Sequence, residues 1–382
     1  FFFHHCSISL PNSSTMAPRD VAIAVASHDA HQLPDMIHAT DDQLVPNTIT
    51  QLDLSGPAPL NRQNAECLVT FLEQVRSIRT LHISCRLDQD GAADILSAFL
   101  QDASRSHSIV SIHWNLLCSI DMGVLQCLAS GFSNGQNSTV TELQFSFFAF
   151  NTDPQCQELL KTMLLGKRKS LKTLNFCMCS FGSNVSGVAD GLAAQEQLQN
   201  ISFIGGKPND ASSASIIQQL PKSNLQYLCI DNPQMSLQSF HAIVRLLCSK
   251  ECKVRDLILP QHFFAKSSSG RRDPGAKEML LAALQLSNAS LERLVLTFTI
   301  AVSSLPLSHE ERDAVEVELN QYSRRNRYMG RVRDLFQPQN AQPTRPFQTR
   351  LASPLLAQLG KLKPRDGASA TFLVLTELDL QQ

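Results

Sequence analysis

One short phrase recurs along the chain at a nearly constant spacing, and it constrains the fold more than any other feature of the sequence. The phrase is L-x-x-L-x-[L/F], with other apolar residues in place of Leu in some copies, as in "LKTLNF" and "ITQLDL". The central residues of the nine copies are Leu52, Leu81, Ile112, Leu143, Leu174, Ile201, Leu228, Leu257 and Leu294. Neighbouring central residues lie 27 to 37 positions apart. A period of this length indicates an array of repeated supersecondary units.

The segments between the phrases have the apolar spacing of helices. In residues 65–75, for example, Leu68, Phe71, Leu72 and Val75 recur at intervals of three and four. Similar stretches lie at 93–100, 157–165, 239–247 and 276–286. Each unit therefore reads as a short strand, a turn and a helix, which cannot bury its apolar flanks alone. Stacked units bury those flanks against each other, so we expect an α/β solenoid with a parallel concave sheet and outer helices.

The repeated phrase resembles that of the leucine-rich repeat family, in the long strand–helix form of ribonuclease inhibitor. The resemblance covers about residues 47–300 and implies a horseshoe-shaped array of about nine units. The family places Asn or Cys at the ninth position of its phrase, and here only Cys179 fits. Cys177 lies two residues earlier, which places it on the exposed face of the strand while Cys179 points inward. We therefore expect two structural thiols rather than a metal or redox site, since further ligands at metal-binding spacing are absent.

Alternation along each strand predicts which side chains face a partner. The first, fourth and sixth places of the phrase point inward, so the third, fifth and seventh places line the concave face. At these places the candidate partner-binding residues are His82, His113, Glu142, Gln144, Asn175, Tyr227, Asp231, Asp256 and Arg293. We expect Tyr227 and Arg293 to act as anchors. The alternative is a solvated sheet face that binds nothing specific, because polar residues at exposed strand positions need no function.

A cluster in the first units raises the question of a metal or a general base. Asp53, His82 and His113 all occupy the fifth place, and two His with one carboxylate on adjacent strands are a ligand set that zinc accepts. The three must align across degenerate repeats to do so, and we therefore assign no metal site and no cofactor. Motifs such as G-x-S-x-G and the phosphate-binding P-loop are also missing, so we expect a protein that is not an enzyme.

The net charge and the cysteine content limit which partners and which cellular compartment are expected for this protein. The formal net charge is −1 in 382 residues, so no general attraction to nucleic acid or to anionic lipid is expected. The eleven cysteines are odd in number and irregularly spaced, which favours reduced thiols in a cytoplasmic protein. No apolar run approaches the roughly 20 residues that span a bilayer. We expect a monomer with a protein or peptide partner, no nucleic acid and no membrane.

The two ends of the chain differ from the repeats. Residues 1–45 lack apolar periodicity and read as a poorly ordered segment without the pattern of a signal peptide. The array is assigned to residues 46–305, and residues 306–382 to a helical C-terminal cap with a Pro/Gln-rich linker at 337–347. Ser308 is placed to cap a helix with an acidic start and a basic end.

The tail also carries a second resemblance. It is similar to the terminal helix of a set of uncharacterised algal leucine-rich repeat proteins, through Tyr322, Asn326–Arg327 and Gly330–Arg331. The segment 375–380, "LTELDL", also fits the repeated phrase, so it is either a tenth strand or part of the cap.

These features together favour a non-catalytic scaffold that binds a protein or peptide partner on the concave face. The alternative is a regulatory module on the same scaffold, such as a GTPase-activating protein or a ubiquitin-ligase adaptor. An adaptor would need a helical docking domain before the repeats, and residues 16–46 are too short and polar for one.

Overall fold

The computed structural model contains one open, parallel sheet of ten strands that follow each other in chain order. It describes residues 21–33 and 49–321, except residue 89 and the segments 117–121, 151–153, 183–184, 207–209, 222–223, 233–236, 265–275, 287–289, 298–307 and 309. The strands are β1 (Val21–Ala26), β2 (Ile49–Ser55), β3 (Thr80–Ser84), β4 (Ser111–Asn115), β5 (Glu142–Ser146), β6 (Thr173–Cys177), β7 (Asn200–Ile204), β8 (Tyr227–Asp231), β9 (Asp256–Pro260) and β10 (Arg293–Thr297). Because every neighbouring pair is parallel, each connection must cross back over the sheet.

Helices supply these crossover connections. The α-helices are α1 (Arg62–Gln74), α2 (Ala92–Gln101), α3 (Met122–Phe132), α4 (Pro154–Gly166), α5 (Ser186–Ala193), α6 (Asp210–Gln218), α7 (Leu237–Leu247), α8 (Ala276–Leu286) and α9 (310–321). Two 3₁₀ helices follow β1 and β9, at Ser27–Gln32 and Gln261–Phe264. Strands that alternate with helices in an open parallel sheet make an α/β solenoid, as in a leucine-rich repeat horseshoe, and the predicted fold class is confirmed. Within the described residues, no helix has the length and apolarity needed to cross a bilayer.

The register of the sheet is the one that the repeated phrase predicts. The nine central residues lie opposite one another from strand to strand, beginning with Leu52 beside Leu81 and ending with Leu257 beside Leu294. Leu52 and Leu257 are fully buried and Leu143 is 1% exposed. The inward rows therefore form one continuous core, and the intervening side chains share the opposite, concave face.

The N-terminal segment differs from the expectation of poor order over residues 1–45. Within it, β1 pairs with β2 and places Ile23 beside Leu52 and Val25 beside Leu54. Ala30, in the following 3₁₀ helix, and Leu33, directly after that helix, are buried in the core of the array. This strand covers the edge of β2, so the described part of the array has ten strands where about nine units were predicted. Residues 1–20 and 34–48 lie outside the described part of the chain.

Phenylalanine rings fill the middle of the core, at a place where β4 carries Trp114 and the remaining copies of the phrase carry Leu or Ile. Phe145, Phe176 and Phe203 occupy the sixth place of successive strands and stack with centroids 5.8 and 5.4 Å apart. Phe150 and Phe181, from the turns that follow β5 and β6, stack at 5.3 Å and meet Phe176 edge-on. We call these five residues the phenylalanine spine.

Different residues occupy the ninth place of the phrase in successive units. Cys179 is buried and its Sγ donates to the Phe145 carbonyl at 3.3 Å, which caps the turn as expected. In the next unit this place is Gly206, with φ of 86° and a position where a Cβ would lie 1.9 Å from the Cys179 carbonyl oxygen. Only glycine fits there, so an Asn or Cys cannot occupy the ninth place in that unit.

A helix covers the last edge of the sheet. Ser308 caps α9 as predicted, since its Oγ accepts from the Glu311 amide at 3.1 Å while Glu311 Oε2 accepts from the Ser308 amide at 3.2 Å. Leu319 is fully buried against the array. The linker at 337–347, the segment 375–380 and the family residues between 322 and 331 lie outside the described residues.

Candidate functional site

The sequence-predicted residues all lie on the concave face, in three rows that cross the sheet. Glu142, Tyr227, Asp256 and Arg293 belong to the third-place row, and Asp231 to the seventh. The fifth-place row contains His82, His113, Gln144 and Asn175, each directly opposite the next. Eight of the nine are half-buried and Arg293 is exposed. The alternation of strand side chains therefore puts the predicted residues on one surface, but it gathers them into two separate groups.

The first group is a strip of four ionisable residues near the start of the array. We call Asp53, His82, His113 and Glu142 the histidine strip. His82 Nδ1 lies 3.6 Å from Asp53 Oδ1, and His113 Nε2 lies 3.6 Å from Glu142 Oε1. The two imidazole rings are 4.4 Å apart between centroids, at an angle of 49°. Ser111 Oγ is 2.7 Å from His113 Nε2 and holds that ring in place.

Burial and neighbouring charge shift the pKa of two members of the strip. The pKa of His82 is lowered, first by burial and then by the adjacent His113, although Asp53 and Glu142 act in the opposite direction. The pKa of Glu142 is lowered, chiefly because His113 donates a hydrogen bond to the carboxylate. The lowered pKa keeps His82 uncharged at neutral pH beside the Glu142 carboxylate. The strip therefore suits donors such as peptide amides and cationic side chains.

Gln144 and Asn175 continue the polar row beyond the strip. They face each other across β5 and β6, and Gln144 Nε2 is 3.4 Å from Ser146 Oγ. Their amides add both donors and acceptors to the surface, so this part of the face can pair with an extended backbone.

The second group lies at the other end of the face. Tyr227, Asp256 and Arg293 are neighbours in the third-place row, and Arg293 Nε lies 2.6 Å from Asp256 Oδ1. Asp231 accepts a hydrogen bond from Thr297 Oγ1 at 2.7 Å. Burial raises the pKa of the Tyr227 phenol above its ordinary value, so Tyr227 remains a neutral donor. Arg293 is thus already paired, and a partner would meet an arginine–carboxylate pair beside an aromatic ring.

The cysteine stretch behaves as structural thiols. Cys177 is half-buried on the concave face, whereas Cys179 is buried and burial raises the pKa of its thiol to about 12. Cys229, at the fifth place of β8, is also buried, and burial raises the pKa of its thiol to about 12, so this residue is not accessible on the concave face. In the part of the chain that is described, no three His, Cys, Asp or Glu side chains come together in an arrangement that could hold a metal ion.

Two features of this face were not predicted from the sequence. Phe147 and Met178 follow β5 and β6 directly and have φ of 62° and 54°, in the left-handed region that side chains other than glycine seldom adopt. Their amides donate to the carbonyls of Cys177 and Ile204, which holds this conformation. Met178 is 52% exposed at the edge of the concave face. In two other units the equivalent place is a glycine with positive φ, Gly56 and Gly205, and these glycines are a sequence signal for the turn.

No protein-family model matches this chain, and no curated protein is significantly similar to it.

Proposed function

We propose that this chain is a leucine-rich repeat protein and acts as a non-catalytic scaffold in the cytoplasm, binding a protein or peptide partner on its concave face. One observation carries the proposal. Side chains at matched places of the phrase form rows that cross the sheet. Eight of the nine candidate residues in these rows are half-buried and Arg293 is exposed, so these side chains are held in place and yet accessible. With strands about 4.8 Å apart, such rows extend over roughly 40 Å, which is the length of an extended peptide of about a dozen residues.

The composition of the face supports a peptide or protein as the ligand. The histidine strip and the amides of Gln144 and Asn175 supply hydrogen-bonding groups at one end. Tyr227 supplies an aromatic surface at the other end, beside the pair formed by Arg293 and Asp256. Interfaces between proteins combine a few aromatic and arginine anchors with a polar surround, and this face has both.

Replacing both anchors tests the proposal. Tyr227→Ala with Arg293→Ala should reduce the recovery of a specific partner at least tenfold in quantitative affinity capture from the native cell. The matched control is Leu165→Ala with Arg245→Ala, which removes one apolar and one cationic side chain from exposed positions on the outer helices. If both variants retain the partner equally, the concave face is not the binding surface.

A further inference from the structure

Cationic side chains gather at one rim of the solenoid. In a parallel array all helix-to-strand turns lie at the same edge of the sheet, where the strands begin. Apart from the buried Lys167, the cationic residues in the described turns of this edge are Arg76, Arg79, Arg105, Arg168, Lys169, Lys172, Lys250, Lys253 and Arg255, which we call the basic rim. The same turns contain four carboxylates, Asp102, Glu196, Glu251 and Glu292. Since the whole chain has a net charge of −1, this edge holds a local excess of positive charge.

Three members of the rim occupy equivalent positions. Arg79, Lys172 and Arg255 each stand immediately before a strand, at the second place of the phrase. Their backbone amides donate to the same place of the preceding unit, at the carbonyls of Thr50, Thr141 and Gln226, over 2.8, 2.8 and 2.7 Å. They precede β3, β6 and β9, so neighbouring members are three strands apart, which corresponds to about 14 Å. The backbone thus fixes a line of three cations across the sheet edge.

Helix capping does not account for these three residues. The preceding helices end at Gln74, Gly166 and Leu247, five to eight residues earlier in the chain. The favourable effect of a cation on the helix dipole falls off within the last turn of the helix. Stabilisation of helix ends therefore does not explain the positions of Arg79, Lys172 and Arg255, although it can explain those of other residues of the basic rim.

The three cations are exposed and only weakly engaged within the chain. Arg79 Nη1 donates to the Ser108 carbonyl at 3.4 Å, and Arg255 Nε lies 4.0 Å from Glu292 Oε1. Among the described residues, no carboxylate lies within 4.0 Å of Lys172. An incoming carboxylate would displace only long, solvent-exposed contacts, which contribute little to stability.

We propose that the basic rim binds an extended acidic segment of the protein partner, with carboxylates about four residues apart. The step follows from the geometry, since a strand rises about 3.3 Å per residue and four residues span about 13 Å. This inference rests on the proposed function. It specifies in addition that the partner has an acidic segment and that this segment lies along the basic rim.

A protein segment fits this edge better than nucleic acid. The four carboxylates interrupt the rim, whereas a phosphate backbone needs dense neutralisation along its length. The described turns of the rim also contain no Phe, Tyr or Trp on which a base could stack.

The probe is a fluorescein-labelled Gly/Ser peptide with Glu at positions 1, 5 and 9, measured by fluorescence anisotropy at low salt. A peptide of the same composition with three adjacent Glu residues should bind at least fivefold more weakly. Arg79→Gln, Lys172→Gln and Arg255→Gln together should lower the affinity for the spaced peptide at least fivefold. The control variant Arg62→Gln, Lys161→Gln and Arg245→Gln removes three cations from the helices and should bind as the wild type does.

The other possible results either contradict the inference or show whether it and the proposed function stand or fall independently. Equal binding by the rim and control variants would overturn the inference, as would tighter binding of a single-stranded RNA of matched charge. If the variant with Tyr227→Ala and Arg293→Ala loses the peptide, the acidic segment binds on the concave face. This result contradicts the inference and leaves the proposed function standing. If only the rim variant loses the peptide and the anchor variant retains its partner, the inference holds while the proposed function fails.

Discussion

At the scale of single residues, Lys167 has an unusual environment for a lysine. Its side chain is fully buried, and its Nζ donates to the Asn137 carbonyl at 2.6 Å and lies 4.9 Å from the centre of the Phe132 ring. Burial lowers the pKa of the ammonium to about 7, whereas a lysine in the unfolded chain titrates near 10.4. Between these values the unfolded chain binds one more proton than the folded chain does, so the free energy of unfolding should rise with pH.

Lys167→Met should remove this pH dependence. In the wild-type chain the contribution is up to about 1.4 kcal/mol per pH unit between pH 7 and 10. The stability difference between wild type and variant should therefore shift in favour of the wild type as pH rises through this window. Urea unfolding at several pH values measures the shift, and Lys169→Met, on the exposed neighbouring residue, should leave the pH dependence unchanged. If the free energy of unfolding of Lys167→Met has the same pH dependence as that of the wild type, the lowered pKa of Lys167 is contradicted.

The histidine strip makes a second prediction, in which two substitutions act in opposite directions. Replacing His113 by Asn removes a neighbouring positive charge and part of the burial, so the pKa of His82 should rise. Replacing Asp53 by Asn removes an attractive charge, so the pKa of His82 should fall further. Carbon-13 NMR of labelled histidine measures both shifts. His241→Gln, on α7, serves as the control that leaves His82 unchanged.

The sign of the accompanying stability change follows from the lowered pKa. The unfolded chain takes up a proton at this site more readily than the folded one, so the contribution of His82 is present above its ordinary pKa and declines as pH falls below it. His113→Asn should flatten that decline in urea unfolding between pH 5 and 7. A steeper decline, or pKa shifts of the same sign in both variants, would show that the strip does not act as a coupled group.

At the scale of elements, the repeated phrase predicts nine strands and their register. A slip of one residue would expose the apolar side chains of a strand to solvent, so the register is strongly determined. The phrase does not predict β1. Ile23 and Val25 lie opposite the fourth- and sixth-place residues of β2, but the sequence has Asp20 three residues before Ile23, where the phrase requires an apolar residue. The pairing also shifts register between Val21 and Ala22. A strand at the end of an array needs to match one neighbour only, so its sequence can depart further from the phrase.

Contacts between elements distant in sequence were not predictable from a local pattern. Glu316 and Asn320 illustrate this, because nothing in the helical spacing of α9 indicates that they contact β10. In the structure Asn320 Oδ1 accepts from the Leu294 amide at 3.1 Å and its Nδ2 donates to the Leu294 carbonyl at 3.0 Å. Glu316 Oε1 accepts from the Leu296 amide at 2.8 Å. Within the described residues no further strand pairs with the free edge of β10, and these two side chains make the bonds that a strand backbone would make there.

Asn320→Ala should expose the edge of β10. The loss of two hydrogen bonds to a half-buried backbone is expected to cost about 1–3 kcal/mol. Hydrogen exchange at the Leu294 amide should become at least tenfold faster, whereas Gln321→Ala, at the exposed next residue, should leave it unchanged. Unaltered exchange at Leu294 in the Asn320 variant would mean that α9 does not protect this edge.

At the scale of the whole molecule, stability depends on contacts between neighbouring units, since a repeat in a solenoid contacts mainly the units beside it. The contacts that join elements follow this rule, strand to adjacent strand and helix to adjacent helix. The phenylalanine spine is the densest aromatic part of this chain of contacts, and it crosses β5, β6 and β7 in the middle of the array. A substitution there weakens the connection between the two halves, while a substitution near the first repeat weakens only an end.

Phe176→Ala should therefore divide the unfolding of the array. The ring of Phe176 is 1% exposed and contacts Phe145, Phe203, Phe150 and Phe181, and its removal from a packed core is expected to cost about 3–5 kcal/mol. Hydrogen exchange followed by mass spectrometry should then show β1–β5 and β7–β10 opening with different free energies. Phe71→Ala removes an equally buried ring from α1 and should speed exchange in β1–β3 alone, because the damage lies at one end. If both variants lose protection uniformly across the sheet, the array unfolds as a single cooperative unit and coupling between neighbouring units does not govern its stability.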